Sequence, residues 1–464
     1  MTDGLVLIVL LIAQTALAGW LMWRSPYNTV SIVGMLTTLF TFLPAVLFLD
    51  DAGFESYSWR NYATPDATNG FDAAVMIGVL NFCLLLGAAA ADQSVKKKDA
   101  FLQATAQTVR ARGMYLYGSK KLGLVSAAYF LLWLVVAAIL YGQSGQTITE
   151  FLLPIKETGI ASEQSGYLRS LYLAIPSALV VMSYWRHGSL KLSGWIWVVL
   201  ALIATFSTHQ RRELVTTALL LLSLGMFLGP LRDQLKGKAA AARMDPTKNL
   251  RRMRVMIVVV LFAGLLLVPL LWYARVYFTN WGEGEEVNVF EIRSFTDILF
   301  GSPSTGFPTF VYIQEFVSNF GTDPLYLLAY PLTIFIPRAL WDSKPLDLDS
   351  ILENQYWLME NPSSFWFGEM YYGLGYLAPL VTAVLAFLLY RFCMKCQTIP
   401  HIWYRTMGAL LFMQCVTLFK NGVTVFVIRT VVLVALLGVA WVVCRPSRDE
   451  VDTESTDEKQ GVMV

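Results

Sequence analysis

Charge is what this sequence has least of. Of 464 residues only 15% are Asp, Glu, Lys or Arg, against 56% hydrophobic, and the mean hydropathy is +0.54. A soluble domain carries about 25% charged residues, so a water-soluble globule is excluded. Histidine is almost missing: His187, His209 and His401 are scattered, and no metal site is expected from them. The five cysteines exclude a disulfide scaffold. Cys83, Cys415 and Cys444 sit in apolar runs, and Cys393 with Cys396 forms a lone CxxC without the second pair that a zinc site needs. No phosphate-binding glycine loop, HExxH pair or internal repeat occurs. The first apolar run has neither a basic n-region nor a small-residue cleavage site ahead of Arg24, so it is expected to be an uncleaved span.

What is present is a series of apolar runs. A membrane crossing needs about 20 predominantly apolar residues. Eleven candidates lie near 4–23, 29–49, 71–91, 122–142, 168–185, 193–208, 214–230, 255–273, 372–391, 405–420 and 423–444. The expected fold is an all-α polytopic membrane protein with a single integral domain over 1–444. The tail, 445–464, is polar and acidic and is expected to be disordered on the cytoplasmic side. Basic residues crowd two loops, 92–121 and 231–254, which the positive-inside rule assigns to the cytoplasm. Segments 50–70, 143–167 and 274–323 are acidic or mixed and should face outward, with the N-terminus outside. The basic loops need no nucleic acid to explain them, because topology and anionic lipid account for their charge. Residues 98–117 could form a helix lying in the interface.

The stretch 335–345, FIPRALWDSKP, lies in a polar, aromatic-rich outward segment, 274–371. Were 324–340 a full crossing, the basic turn 391–405 would lie outside, against the charge rule. It is therefore expected to be re-entrant or interfacial, with Pro331 and Pro337 breaking a helix that lines a cavity.

Ionisable groups at membrane depth cost about 2.5 to 3.5 kcal/mol on insertion scales, so their default reading is functional. Arg211 and Arg212 fall in a short outward turn, Arg429 lies about two turns into the last span, and Arg275, Arg293, Arg338 and Lys344 belong to the outward segment. Arginine presents a planar donor fork suited to phosphate oxygens, which makes this set a candidate diphosphate site. Arg275 and Arg293 could instead pair with nearby acids, and one of Arg211 and Arg212 could snorkel to headgroups. Glu369 stands beside Trp366, Tyr371 and Tyr372 at the membrane edge and is a candidate general base. Asp342, Asp347, Asp349 and Glu353 read as a solvated loop face. Trp341, Trp366, Tyr371 and Tyr372 suit either an interfacial belt or stacking on sugar rings.

Residues 334–345 resemble the Phe-Ile-Pro, Trp, basic, Pro signature of the bacterial oligosaccharide repeat-unit polymerases, the Wzy-type family that builds O-antigen, enterobacterial common antigen and exopolysaccharide. Similar too are an Arg in a short outward turn (Arg211 or Arg212), a basic residue where the eighth span exits (Arg275), Gly368-Glu369, and Lys420-Asn421-Gly422 followed by Arg429. As motif the likeness covers 327–376 and 418–431. It implies a GT-C-like membrane glycosyltransferase of the bacterial inner membrane. Such an enzyme takes polyprenyl-diphosphate oligosaccharides as donor and acceptor, with no cofactor or metal, and works beside a chain-length regulator and a flippase. Arg211, Arg212, Arg275, Arg338, Lys344, Lys420 and Arg429 would hold diphosphate, and Glu369 would deprotonate the acceptor for inverting transfer. The alternatives are a lipid-linked glycan ligase, which lacks its usual His-bearing loop here, and a transporter or flippase, which should show paired halves. Single cysteines placed in a cysteine-free version at 92–121 or 231–254 should react with an impermeant maleimide only after permeabilisation. Those at 50–70 should react in intact cells, and the reverse pattern would reject the topology.

Overall fold

The computed structural model describes residues 2–26, 28–47, 67–96, 120–144, 148, 166–187, 190–207, 211–235, 255, 306–333, 336, 341, 345–355, 365–399 and 401–444. No strand occurs among them. The helices are α1 (Thr2–Arg24), α2 (Thr29–Thr37) running through a π-turn (Thr38–Phe42) into α3 (Leu43–Leu47), α4 (Ala67–Lys96), α5 (Lys120–Ser144), α6 (Gly166–His187), α7 (Leu192–Ser207) and α8 (Arg211–Leu235). After the eighth expected span, of which only Val255 is described, come α9 (Gly306–Phe320), α10 (Pro324–Thr333), α11 (Leu348–Gln355), α12 (Phe365–Leu374), a 3₁₀ turn (Gly375–Leu377), α13 (Ala378–Thr398), α14 (Ile402–Met413) and α15 (Cys415–Cys444). Seven of the described helical stretches are long and apolar enough to cross a membrane, and two shorter apolar ones, Leu192–Thr205 and Val215–Leu228, match the sixth and seventh expected runs. The chain is an all-α, multi-pass membrane protein.

Two expected boundaries move. The run expected at 372–391 is a helix from 378 to 398 preceded by a separate short one, because Gly375, at φ +53°, interrupts the helical path between them. Arg211 and Arg212 belong to the first turn of α8 rather than to the connection before it, arginine being a good helix former. The helix within 324–340 is α10, ten residues and about 15 Å long at 1.5 Å per residue, half the hydrocarbon thickness.

The helices cluster into two compact units, interleaved in sequence. The first, 1–99 with 244–395 and 411–428, contains α1 to α4 and α9 to α13. Its core is polar in places where hydrocarbon would leave no alternative partner. Asn81 Nδ2 donates to Gln14 Oε1 (2.7 Å) and to Thr38 Oγ1 (2.8 Å), and Gln14 Nε2 donates to the Gly78 carbonyl (2.9 Å). These bonds tie α1 and the start of the π-turn to α4. At one end of the unit Arg24 pairs with Asp92 (3.3 Å), the Tyr390 hydroxyl donates to the same carboxylate (3.1 Å), and Asn28 Nδ2 donates to the Tyr390 carbonyl (3.3 Å). The C-terminal halves of α1, α4 and α13 thus meet.

The second unit, 100–243 with 396–410 and 429–464, contains α5 to α8. Trp133 Nε1 donates to the Tyr172 carbonyl (3.1 Å) and the two rings stack at 5.2 Å, joining α5 to α6. Tyr129 donates to the Leu436 carbonyl (2.6 Å), and Trp185 Nε1 to Thr406 Oγ1 (2.8 Å).

Close helix approach is set by glycine. A Cβ on Gly87 of α4 would run into the Ala383 carbonyl of α13, backbone that cannot step aside, whereas one on Gly142 of α5 would meet nothing within 4 Å. Gly87→Ala should therefore lower the thermal unfolding midpoint in detergent, because overpacking costs about 1 to 3 kcal/mol of stability. Gly142→Ala should leave it unchanged or raise it, alanine being the better helix former.

Candidate functional site

The last two expected spans meet at Lys420-Asn421-Gly422. Gly422 has φ +82° and ψ 179°, a conformation open to glycine alone, and it splits α15 into arms 415–421 and 423–444. Trp403 and Trp441 are equally far from Gly422 in sequence. In a straight helix they would be about 57 Å apart at 1.5 Å per residue. Their rings lie 5.7 Å apart instead, so the chain reverses at Gly422 and the two arms form a hairpin. Trp185 packs on both rings, at 6.2 and 6.0 Å, and His401 on Trp441 at 5.4 Å.

A helix that restarts at 423 exposes its first amides, which have no acceptor within the helix. One acceptor comes from far away in sequence. Glu369 Oε2 accepts the Thr424 N–H at 3.0 Å, and the Val423 amide adds a second interaction. A carboxylate at a helix N-terminus gains both a charge-assisted hydrogen bond and the favourable end of the helix dipole. The fit is tight: a Cβ on Gly422 would lie 2.5 Å from Glu369 Cδ and 2.6 Å from Oε2. Gly422 is thus required twice, for its φ and for its missing side chain.

Glu369 is held there by α12, whose residues Phe365 to Gly373 are all buried. Phe310 of α9 packs on Phe365 and Tyr371, at 6.1 and 5.3 Å, and Phe316 on Tyr372 at 5.9 Å. Tyr326 of α10 meets Tyr372 edge-on at 5.1 Å. Asp323 caps α10, accepting from the Leu325 and Tyr326 amides at 3.1 and 3.2 Å, and its own amide donates to the Tyr372 carbonyl at 3.1 Å. Burial pushes the Tyr326 phenol well above its ordinary range. It stays neutral and accepts the Leu348 N–H at 3.0 Å, fixing the start of α11. Asp349 and Tyr326 are within electrostatic reach of Glu369.

Of the residues singled out from sequence, Glu369 is 2% exposed and lies at the hairpin tip. Lys420 is partly buried on the first arm, two residues before Gly422, and Arg429 is partly buried on the second arm. Trp366, Tyr371 and Tyr372 are buried, and the faces of the two tyrosines are taken up by Phe310, Phe316 and Tyr326, whereas Trp341 is exposed. Arg275, Arg293, Arg338 and Lys344, the side chains of Arg211 and Arg212, the interfacial segment 98–117 and the tail 445–464 lie outside the described residues. Sequence reasoning missed Thr424 as the partner of Glu369, though a glycine at an expected reversal was a usable signal. The chain matches no family model, no curated protein and no solved structure.

If the carboxylate caps the second arm, variants at 369 should rank by what they leave behind. Glu369→Gln keeps an acceptor and loses the charge. Glu369→Leu leaves the Thr424 amide unpaired and should cost about 1 to 3 kcal/mol. Thermal unfolding in detergent should give the order wild type, Gln, Leu, with Gly422→Ala no better than Leu.

Proposed function

We propose that this protein is a membrane glycosyltransferase that polymerises polyprenyl-diphosphate-linked oligosaccharide repeat units into a surface polysaccharide at the outer face of a bacterial inner membrane. One observation carries the reading. The two stretches that resemble the repeat-unit polymerases, 327–376 and 418–431, are 55 residues apart at Glu369 and Thr424 and meet there through a hydrogen bond. A resemblance split over two distant segments gains weight when both belong to one place in the fold. The all-α, multi-pass architecture is of the kind that a GT-C-like enzyme requires.

In this reading Glu369 takes the proton of the acceptor hydroxyl as that oxygen attacks the donor's anomeric carbon. The bond to the diphosphate breaks and configuration inverts. Negative charge then develops on the leaving diphosphate, where arginine forks stabilise it. Arg429 is the foremost candidate, with Lys420, Arg211 or Arg212, Arg275, Arg338 and Lys344 in support. Trp341, at 36% exposure, is the aromatic best suited to stack on a sugar. A chain-length regulator and a flippase would be its partners in the membrane.

The test is an in vitro assay with purified protein and a polyprenyl-diphosphate oligosaccharide from the host, products resolved by size. Wild type should give a ladder, and Arg429→Ala or Glu369→Gln should reduce it at least a hundredfold with the protein folded. Transfer of the glycan to a lipopolysaccharide acceptor without a ladder would instead mark a ligase, and movement across a vesicle without bond formation a transporter.

A further inference from the structure

The length of α13 fixes a depth. Its 21 residues, Ala378–Thr398, cover about 32 Å at 1.5 Å per residue, close to the hydrocarbon thickness of about 30 Å, so its two ends mark the two boundaries of that layer. Arg391 and Lys395 stand near one boundary, and Ala378 marks the other. Leu380, Val384 and Leu388 are exposed at a spacing of four residues, which on a helix is one side and makes it the side that meets lipid. Leu377 and Tyr376, the latter 80% exposed, carry that apolar surface up to the boundary.

The corner between α9 and α10 is fastened to this end of α13. The Asp323 amide donates to the Tyr372 carbonyl at 3.1 Å, and a Cβ on Gly375 would lie 3.0 Å from Thr322 Cγ2. Leu327 packs so closely on Gly373 that a Cβ there would meet it at 2.5 Å. Asp323, exposed, caps α10 with its carboxylate. A charge is costly inside hydrocarbon, so this cap belongs at the boundary.

The two sides of α10 differ. Tyr326, Tyr330 and Thr333 are buried, with Tyr326 stacked on Tyr330 at 5.0 Å and set edge-on against Tyr372. Leu325 and Leu332, 71% and 74% exposed, are seven residues apart, two turns along the opposite side. Phe320, just before the corner, is exposed as well. The exposed residues described on α10, Pro324, Leu325 and Leu332, are all apolar. A helix bathed in water carries polar residues on its open side, and this one carries leucines.

We propose that α10 is a half-span within one leaflet, its Leu325 and Leu332 side docked, with Phe320, Tyr376 and Leu377, on phospholipid acyl chains, and Asp323 at headgroup level. The occupant is lipid because the patch continues the lipid-facing side of α13. A second copy of the chain would have to cover a surface that lipid already wets on the neighbouring helix. The docking does not depend on the proposed reaction. It does hold the end of α12, and Glu369 is five residues from that end, about 8 Å of helix, so the carboxylate lies near the same boundary.

The full wild-type chain in vesicles of phosphatidylethanolamine and phosphatidylglycerol, doped with a phosphatidylcholine that carries a diazirine on its acyl chain, gives the test. After illumination, adducts are mapped by mass spectrometry, and a parallel sample is footprinted with hydroxyl radicals. Peptides covering 320–333 and 376–388 should be labelled alike, and about tenfold or more above 348–355, because the diazirine stays in the hydrocarbon. Oxidation of Leu325 and Leu332 without lipid adducts would show that they face water and would overturn the proposal. Labelling by neither reagent would mean a protein cover, a second copy or another part of the chain, and would overturn it too, as would equal adduct yields on 320–333 and 348–355.

Discussion

A carboxylate at the start of a helix is the contact on which this part of the structure depends. Glu369 reaches the Thr424 amide from a different helix, 55 residues away in sequence, and at 2% exposure it has no water to compete for it. The bond joins three things that sequence distance keeps apart: the buried aromatic helix α12, the glycine where the last two crossings reverse, and the polar residues on either side of that glycine. Removing the acceptor would leave orphan amides inside a membrane protein, where every backbone polar group needs a partner within the protein.

The same contact gives Glu369 two duties. As a cap it fixes the second arm of the hairpin, and in the proposed reaction it accepts a proton. The duties are compatible because a carboxylate has two oxygens and about four lone-pair directions, and the Thr424 and Val423 amides and the Thr424 hydroxyl do not use them all. Loss of activity at Glu369 would therefore not by itself distinguish a base from a cap, and the stability of the Gln and Leu variants has to be read beside it.

Much of the fold was legible. Hydropathy placed α1, α4, α5 and α6 nearly to their ends, because a stretch that must cross hydrocarbon leaves little freedom in composition. Lys420-Asn421-Gly422 marked the reversal, since glycine supplies a positive φ at no steric cost. Other features left no trace. The break at Gly375 lies inside a continuous apolar run, where periodicity is silent. Tyr371 and Tyr372 look the same in sequence whether they line a core or an open face, and only the packing of Phe310, Phe316 and Tyr326 against them decides it. Glu369 was conspicuous as an acid at a membrane edge, but its partner could not be read, because a cap supplied from another helix has no fixed spacing.

The most direct measurement is hydrogen–deuterium exchange on a peptide covering 420–426, wild type beside Glu369→Leu in the same detergent and at the same pH. With the carboxylate as the cap, exchange in the variant should be at least about tenfold faster there, the equivalent of about 1.4 kcal/mol of lost protection. It should be unchanged in a distant crossing such as α5. Equal exchange at 420–426 in the two proteins would contradict the cap, and with it the meeting of the two motif segments on which the functional reading stands.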